Sequence, residues 1–517
     1  MSNRRSFLLR HWPLPVSLFL AALLLWLEPA RELCAALIGV TYLALCLHYC
    51  WPRQRNTVST QAGELLIAHA SQGGQAQLLA ERSCAQLIDS GVAARCIALN
   101  QLHSAQLARL ERLLLVVSTY GEGEAPDSGA RFERELLNQA TLPQLQFAVL
   151  ALGDSDYSHF CAFGQRLQQR LLQLGARPLF DLLSVDRLDP GALRHWQQQL
   201  GHLSGNSDFV DWQPAHYHPW QLRQRICLNP DSQSAPIYHL CLHSPEAVDW
   251  CAGDIVEIGP RHAAQKVTDW LQQQGLPGQT TLPNGQSLQE ALSRRHLPQR
   301  RQVAADQSLE QWLAELAPLP HREYSIASSL DQGSLDLLVR LQQQADGQPG
   351  LGSGWLCQHA EVGNSIDLRI RRNPGFHGPD AATPMILIGS GSGLAGLRAH
   401  LQERASNPSS RNWLLFGERS ASRDALLIDE LQAWLRSGHL QRLDLVYSRD
   451  GRQRYVQDAL RDAADVLHSW LAEGAVIYLC GSLEGMGRDV DSCLRQLLGE
   501  QTLAELSQSG RYRRDLY

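Results

Sequence analysis

Residues 112–124, RLLLVVSTYGEGE, form an apolar run that ends abruptly in a polar, glycine-containing loop. Two segments have the same form: ELLIAHASQGG, residues 64–74, and QFAVLALGDSDY, residues 146–157. Continuous apolar runs are typical of strands that are buried on both faces of a parallel sheet. Ligands bind such sheets beyond the carboxyl ends of the strands. The three segments therefore predict a doubly wound α/β domain with a binding site at one edge.

The three loops predict a site for a phosphate and a planar ring. The first loop opens a helix, and backbone N–H groups at such a turn can bind phosphate. Its residues are Ser71, Gln72, Gly73, Gly74, Gln75 and Ala76. The other two loops carry Tyr120 and Tyr157, which we expect on the same side of the sheet. Two aromatic side chains near a phosphate site suit a flat ligand.

The remainder of the soluble chain divides into two further units. The α/β unit covers 63–201, and a polar linker follows at 202–222. Short strand-like segments over 223–380 predict an antiparallel barrel, interrupted by a helical insert at about 264–316. A second strand–glycine–helix alternation covers 381–517 and predicts a nucleotide-binding domain.

Residues 1–55 contain two apolar runs, Leu14–Leu27 and Leu33–Trp51. Arginines precede the first run and follow the second, which by the positive-inside rule places both flanks in the cytoplasm. We expect a transmembrane helical hairpin whose lipid contacts lie within 12–51. A single span is the alternative. The expected location is a bacterial inner membrane, with the catalytic domains facing the cytoplasm.

Composition excludes other classes of protein. The net charge of −6 argues against a nucleic-acid-binding protein, which would carry a basic surface. The 12 cysteines include no C-x-x-C pair, so we predict neither a zinc site nor a disulfide framework.

Several motifs follow the linker in a fixed order. They are REYSIASS at 322–329, GLGSGWL at 350–356, MILIGSGSGLAGLRAH at 385–400, YSRDGRQRYVQD at 447–458, YLCGSLEGMGRDV at 478–490 and RYRRDLY at 511–517. The third is a strand, a glycine turn and a helix, as in dinucleotide sites. The fourth combines a hydroxyl, guanidinium groups and an aromatic ring, which suit a 2′-phosphate and its adenine. The last places an aromatic ring at the chain end, where it can cover a flat ligand.

Taken together, the loops and motifs resemble those of the NADPH-dependent diflavin reductases. This family includes the flavoprotein component of bacterial sulfite reductase and the microsomal NADPH–cytochrome reductase. The resemblance covers about 64–517 and implies FMN, FAD and NADPH as cofactors. It also implies a flavodoxin-like domain, an FAD-binding barrel and a Rossmann-like NADPH-binding domain.

The resemblance assigns FMN to the first unit. The loop 71–76 would hold the phosphate, and Tyr120 and Tyr157 would flank the ring. The other implied FMN residues are Thr119, Gly121, Gly123, Gly153, Asp154 and Phe160. Gly73 stands where the family has a hydroxyl residue, so backbone donors carry more of the phosphate binding.

The resemblance assigns FAD to the middle unit. Arg322 would meet the pyrophosphate, Tyr324 would lie along the flavin, and Ser325 would hydrogen-bond near the reactive ring nitrogen. Gly350 and Ser353 would form the second pyrophosphate loop. Arg340 and Arg372 are further cations within reach of phosphate, and neither is assigned.

The resemblance assigns NADPH to the last unit. The implied residues are Gly389, Gly391, Ser392 and Gly393 for the pyrophosphate, and Ser448, Arg449, Arg454, Tyr455 and Gln457 for the 2′-phosphate and adenine. The implied catalytic residues are Ser325, Cys480, Asp515 and Tyr517, with Tyr517 as a lid over FAD. Ser482 replaces an aspartate of the family, which leaves Asp515 as the acidic group.

The sequence thus predicts a membrane-anchored enzyme that passes electrons from NADPH through FAD and FMN to a haem or other metal protein docked at the FMN domain. One alternative is the flavoprotein component of an assimilatory sulfite reductase, and another is a reductase of ferric chelates. A membrane-tethered flavodoxin-like binding module is the alternative from a different class. Two flavins per chain that are bleached by NADPH would exclude it.

Overall fold

The computed structural model describes residues 64–517 apart from 72, 121–122, 138, 207–208, 210, 213–215, 300–306, 345 and 452. The predicted membrane anchor, 1–55, lies outside these residues. Within the described part of the chain, no helix is both long and apolar enough to cross a bilayer. This finding contradicts the predicted membrane location.

The first unit is a parallel sheet covered by helices. Its strand order is β2-β1-β3-β4-β5, and β6 also pairs with β4. The strands are β1 (Leu65–Ala70), β2 (Ala94–Ala98), β3 (Arg112–Ser118), β4 (Gln146–Gly153), β5 (Arg177–Pro178) and β6 (Leu183–Asp186), and the helices are α1 (Gln75–Asp89), α2 (Ser104–Leu107), α3 (Asp127–Leu137), α4 (Ala162–Gln173) and α5 (Pro190–Ser204). The order reverses at β1 and β3, which opens a crevice at their carboxyl ends.

Strand β1 shows why the apolar runs are continuous. Leu66 and Ala68 pack into a core on one face of the sheet, together with Phe132 of α3. Leu65 and Ile67 pack into a second core on the other face. Because both faces are covered, no position in the strand favours a polar residue. The prediction of a doubly wound α/β domain is confirmed.

The second unit is one antiparallel sheet of six strands in the order β10-β9-β12-β7-β8-β11. Its strands are β7 (His218–Cys227), β8 (Ile237–His243), β9 (Ile255–Gly259), β10 (Arg322–Ser325), β11 (Leu335–Arg340) and β12 (Ser365–Arg371). Its helices are α6 (Ala264–Gln273), α7 (Leu288–Ser293) and α8 (Leu309–Glu315), which lie between β9 and β10, and α9 (Leu351–Gly354).

The predicted closed barrel is wrong. Closure needs a continuous ladder between the outer strands, but β10 is only four residues long. Past its end, an isolated bridge between Ile326 and Leu337 is the only pairing between the two edges in the described residues. The sheet is therefore curved but open in its hydrogen bonding.

The third unit is a parallel sheet in the order β15-β14-β13-β16-β17. Its strands are β13 (Met385–Ser390), β14 (Asn412–Glu418), β15 (Leu440–Tyr447), β16 (Val476–Gly481) and β17 (Tyr512–Leu516), and its helices are α10 (Leu394–Arg404), α11 (Ile428–Ser437), α12 (Val456–Asp462), α13 (Ala464–Ala472), α14 (Arg488–Leu498) and α15 (Glu500–Gln508). The chain end is held as an edge strand, since β17 pairs with β16. The terminal residues are therefore fixed in position beside the sheet.

The antiparallel sheet and the third unit share a hydrophobic core. Ile237 and Leu338 of the antiparallel sheet pack in one cluster with Leu387 and Tyr478 of the third unit. Helix α5 of the first unit also contacts the antiparallel sheet, where Arg194 forms an ion pair with the fully buried Glu257 at 2.6 Å. The cleft between the sheets is thus bounded by all three units.

Candidate functional site

The loop after β1 provides an open, polar turn. Ser71 Oγ is buried and has no hydrogen-bond partner within the described residues. Gly74 adopts φ +82, and no atom lies within 4 Å of a Cβ built on Gly73 or Gly74. The free hydroxyl and the open space at the start of α1 fit a phosphate group. Gln75 and Ala76 form the first turn of α1, while Gln72 lies outside the described residues.

The loops after β3 and β4 contact each other at the same edge of the sheet. Thr119 N donates to Leu152 O at 2.9 Å, and a Cβ on Gly123 would lie 2.8 Å from His159 Cβ. A Cβ on Gly153 would lie 3.0 Å from the Phe160 ring. Gly123 therefore allows the two loops to approach closely, and Gly153 allows the loop after β4 to fold back against the end of its own strand.

Two aromatic rings project from these loops. Tyr120 and Tyr157 are each 50% exposed, although large aromatic residues are usually buried. Exposed rings beside an open phosphate turn fit a planar cofactor that would cover them. Asp154 lies 3.6 Å from Arg187 in an ion pair at the same edge. Gly121 lies outside the described residues.

A cavity of about 280 Å³ lies between the antiparallel sheet, helix α5 and the third unit. It brings together eight of the predicted site residues: Arg322, Tyr324, Ser325, Gly350, Ser353, Ser392, Asp515 and Tyr517. These residues come from motifs far apart in the sequence, so the cavity supports the prediction that they act at one place.

The wall formed by α9 packs closely on β10. A Cβ on Gly352 would lie 2.6 Å from Arg322 Cγ and 2.7 Å from the Tyr324 hydroxyl oxygen, so a larger residue would collide with both side chains. Ser353 Oγ accepts a hydrogen bond from Gln342 N at 3.1 Å. That bond fixes the hydroxyl beside Gly350. A narrow, polar wall of this kind, with Arg322 beside it, fits a dinucleotide.

Three side chains form a hydrogen-bonded group at the inner end of the cavity. Ser325 Oγ donates to Asp515 Oδ2 at 2.7 Å, and Cys480 Sγ donates to the same oxygen at 3.6 Å. Burial raises the pKa of the Asp515 carboxyl, against the opposing effects of Ser325 and Arg371. Burial and the Asp515 charge raise the pKa of the Cys480 thiol, which lies behind the cavity wall.

The ring of Tyr517 lies at the boundary between the cavity and the glycine loop after β13, residues 389–393. The Tyr517 hydroxyl and Ser392 Oγ share a hydrogen bond of 2.8 Å. The backbone of Tyr517 is held by two bonds, since its N donates to Gly481 O and its O accepts from Leu483 N. The ring is therefore positioned by its neighbours even though it belongs to the last residue.

The glycine loop after β13 packs tightly on β16. Gly391 adopts φ +58, and a Cβ on Gly393 would lie 2.2 Å from Cys480 O. A Cβ on Gly389 would lie 2.9 Å from the same oxygen. Only glycine allows this approach, which brings the loop and α10 next to Cys480.

The predicted 2′-phosphate residues divide into two groups. Ser448 N donates to Glu418 O at 2.9 Å and Arg449 N donates to Arg419 O at 2.7 Å, so both follow β15 beside the end of β14. Arg454 forms an exposed ion pair with Asp462. Tyr455 is exposed at the start of α12, and Gln457 Nε2 donates to Asp489 at 3.3 Å. Ser448 and Arg449 remain the residues closest to the loop after β14.

Helix α5 contributes a face that the sequence analysis missed. His195, Gln198, Gln199 and His202 all line the cavity, and burial lowers the pKa of His202. Their spacing of three and four residues marks one helical face. The spacing could have identified this helical face from the sequence. A polar helical face is ordinarily exposed to solvent, however, and the sequence does not show that this face lines a cavity.

Comparisons with known proteins agree with this architecture. Residues 67–196 match the Flavodoxin family and residues 387–492 match the Oxidoreductase NAD-binding domain family. The chain is similar to the Sulfite reductase (NADPH) flavoprotein alpha-component of Neisseria meningitidis, with 29% identity over 87% of this chain and 89% of the relative. It is 28% identical to that of Vibrio cholerae over 89% of both chains. For Mannheimia succiniciproducens the identity is 26% over 95% of this chain and 99% of the relative.

The two matched domains and the similarity to sulfite reductase flavoproteins identify an NADPH-dependent flavoprotein oxidoreductase. More particularly, the two matched domains and the relatives support the family of NADPH-dependent diflavin reductases. The predicted cofactors FMN, FAD and NADPH are thereby confirmed.

Proposed function

We propose that this protein is the flavoprotein component of a sulfite reductase, and that it delivers electrons from NADPH to a separate haem or metal protein. The observation that carries the proposal is the cavity that joins Arg322, Ser325, Asp515 and Tyr517. The similarity to sulfite reductase flavoproteins over most of their length supports the same conclusion. A membrane-anchored haemoprotein reductase, the first expectation from the sequence, has less support.

The two flavins supply the redox chemistry when they are bound, by accepting a hydride and releasing single electrons. In this proposal the loop 71–76, Tyr120 and Tyr157 hold FMN. Arg322, Tyr324 and the loop 350–353 hold FAD. The loop 389–393 binds the pyrophosphate of NADPH, while Ser448 and Arg449 bind its 2′-phosphate.

The residues of this chain act by orientation and charge. The buried Asp515 carboxylate places negative charge at the cavity, which favours a ligand ring that becomes positive as it reacts. Ser325 and Cys480 hold that carboxylate in place through their hydrogen bonds. Tyr517 covers the cavity and excludes water until a dinucleotide displaces it.

The electron acceptor docks, in this proposal, at the edge that carries Tyr120 and Tyr157. Glu124, Asp127 and Asp156 are exposed near that edge, and an acidic rim attracts a partner with a basic surface. The boundaries proposed from the sequence are 63–201 for the FMN unit, 223–380 for the FAD unit and 381–517 for the NADPH unit, but β7 begins at His218, inside the proposed linker.

The test is electron transfer to defined acceptors. The purified chain is mixed with a sulfite reductase haemoprotein, and NADPH oxidation is followed with and without sulfite. Sulfite-dependent oxidation is expected, and it should fall as ionic strength rises, because acidic docking is screened by salt. Transfer to a ferric chelate or a cytochrome, with none to the sulfite reductase haemoprotein, would favour the other acceptors.

A further inference from the structure

One oxygen of a buried carboxylate beside the glycine loop lacks a hydrogen-bond partner among the described residues. Glu418 is the last residue of β14, and its side chain is only 4% exposed. Its Oε2 accepts a hydrogen bond from Arg419 N at 3.2 Å, while Oε1 has no hydrogen-bond partner among the described residues. A carboxylate oxygen without a hydrogen bond is costly to bury. This position therefore indicates that a ligand group binds here reversibly.

A guanidinium from a different sheet lies opposite this carboxylate. Arg340 ends β11 of the antiparallel sheet, and its Nη2 lies 3.6 Å from Glu418 Oε1, which is within ion-pair range but too long for a hydrogen bond. Within the described residues, Arg340 has one side-chain hydrogen bond, from Nη1 to Ala235 O at 3.4 Å. Most of its donors are therefore available to a ligand.

Arg340 also lies directly against the glycine loop. A Cβ on Gly391 would lie 2.5 Å from Arg340 Nη2 and 3.5 Å from Glu418 Oε1. Arg340 and Ser392 line the same cavity. The guanidinium is thus at the junction of the cavity and the start of α10, where backbone N–H groups favour an anion. Arginine binds phosphate oxygens in a bidentate manner.

We propose that Arg340 binds the pyrophosphate of the nicotinamide dinucleotide at this loop, and that Glu418 is a titrating counter-charge to Arg340. The proposal rests on the proposed use of NADPH as electron donor. It distinguishes Arg340 from Arg372, the other unassigned cation. Arg372 is paired with Asp249 and Asp254 at 3.0 and 3.3 Å and does not line the cavity.

The charges around Glu418 determine the expected pH dependence. Glu418 faces Arg340 from β11, Arg419 and Asp424 from the loop after β14, and Tyr447 from the end of β15. Burial raises the pKa of Glu418 to about 7, with Arg340 opposing the shift. Below that pH the Glu418 carboxyl is neutral and does not compete with the phosphate for Arg340. Above it, the carboxylate competes for Arg340.

The first experiment separates the pyrophosphate from the 2′-phosphate. Binding of NADP⁺ and of 2′-AMP, which carries no 5′-phosphate, is measured by calorimetry on the full chain. Arg340→Met should weaken NADP⁺ binding by about 10- to 100-fold, the value of a hydrogen bond to a charged group, and leave 2′-AMP binding unchanged. Arg340→Lys should restore part of the loss. The matched control Arg372→Met should bind both ligands as the wild type does.

Three results would overturn the assignment of Arg340. They are unchanged NADP⁺ binding in Arg340→Met, an equal loss for both ligands, and a loss of bound FAD, which would place Arg340 at the other dinucleotide. A wild type that binds neither NADP⁺ nor 2′-AMP would instead refute the proposed use of NADPH.

The second experiment tests Glu418. NADP⁺ binding is compared at about pH 6 and about pH 8, on either side of its titration. The wild type should lose more affinity across this interval than Glu418→Gln, which keeps the shape but has no charge to gain. The 2′-phosphate of NADP⁺ titrates in the same way in both measurements, so its contribution cancels when the two proteins are compared. Equal losses in the two proteins would exclude Glu418 from this role.

Discussion

At the scale of single residues, the buried carboxylate of Asp515 supplies the negative charge on which the proposed chemistry of the cavity depends. Asp515→Asn keeps its size and its contact with Ser325 but removes the charge. We expect NADPH oxidation to fall by about 100-fold, as for the loss of other groups aimed at developing charge, while FAD content is retained. The control is Asp181→Asn, because Asp181 pairs with Arg514 of the same strand away from the cavity. An equal loss in both variants would indicate disruption of β17 rather than loss of the charge.

Glu418 makes a separate prediction about stability. Its pKa, about 7 in the folded protein, lies above the usual value of about 4.3. Between these values the folded state keeps a proton that the unfolded state releases, so stability is present at low pH and is lost as pH rises to about 7. The loss is on the order of 4 kcal/mol.

Urea unfolding without nucleotide, measured across this pH interval, checks the prediction for Glu418. Glu418→Gln should flatten the decline, whereas Glu484→Gln, at a side chain that is 85% exposed, should not. A decline of the same slope in wild type and Glu418→Gln would show that other groups cause it.

At the scale of elements, the loops after β3 and β4 are expected to hold one ring between two tyrosines. Tyr120→Ala and Tyr157→Ala should each weaken FMN binding by roughly 2- to 10-fold, from a ring-stacking contribution of about 0.5–1.5 kcal/mol. FAD content should not change. The FMN and FAD contents are measured by releasing the flavins from dilute protein and separating them by chromatography. Tyr455→Ala, which removes an exposed ring from the third unit, should spare both flavins. A loss of FAD from Tyr120→Ala would show that the flavins are assigned to the wrong units.

The elements that sequence reasoning predicts well are those whose signal is local. Apolar runs such as 112–118 identify the buried strands, because a strand covered on both faces has no polar positions. Gly389 and Gly393 are recognisable because the loop needs close approach to β16. The open sheet was missed, since strand closure depends on the distance between β10 and β11, which lies outside any local pattern.

Residues that act from another unit are harder to predict. Arg340 and Glu418 belong to two different sheets, and their meeting at Gly391 follows only from how those sheets pack. His195 on α5 was missed for the same reason. A strand-end arginine and a strand-end glutamate are ordinary surface residues when they are read one at a time.

At the scale of the whole molecule, a buried network of charges joins the first unit to the antiparallel sheet. Arg371 Nη2 donates to Glu323 at 2.9 Å and contacts His195 of α5 at 3.3 Å. Its Nε lies 3.4 Å from Glu257. A Cβ on Gly191, at the start of α5, would lie 2.9 Å from Arg371 Cγ. The stem of Arg371 is therefore one of the points at which the helix packs on the sheet.

Arg371→Met should weaken this junction more than any single surface change. The methionine fills a similar space, but Glu323 and Glu257 lose a buried cation, which costs about 3–5 kcal/mol when one partner of a buried pair is removed. Arg461→Met is the control, because its ion pair with Asp458 is exposed on both sides and should contribute less than about 1 kcal/mol. Thermal unfolding measures the difference, and hydrogen exchange along α5 locates it. If Arg371→Met lowers stability without raising exchange in α5, the network stabilises the sheet alone. If exchange in α5 rises, the same network also positions the first unit over the cavity that α5 lines.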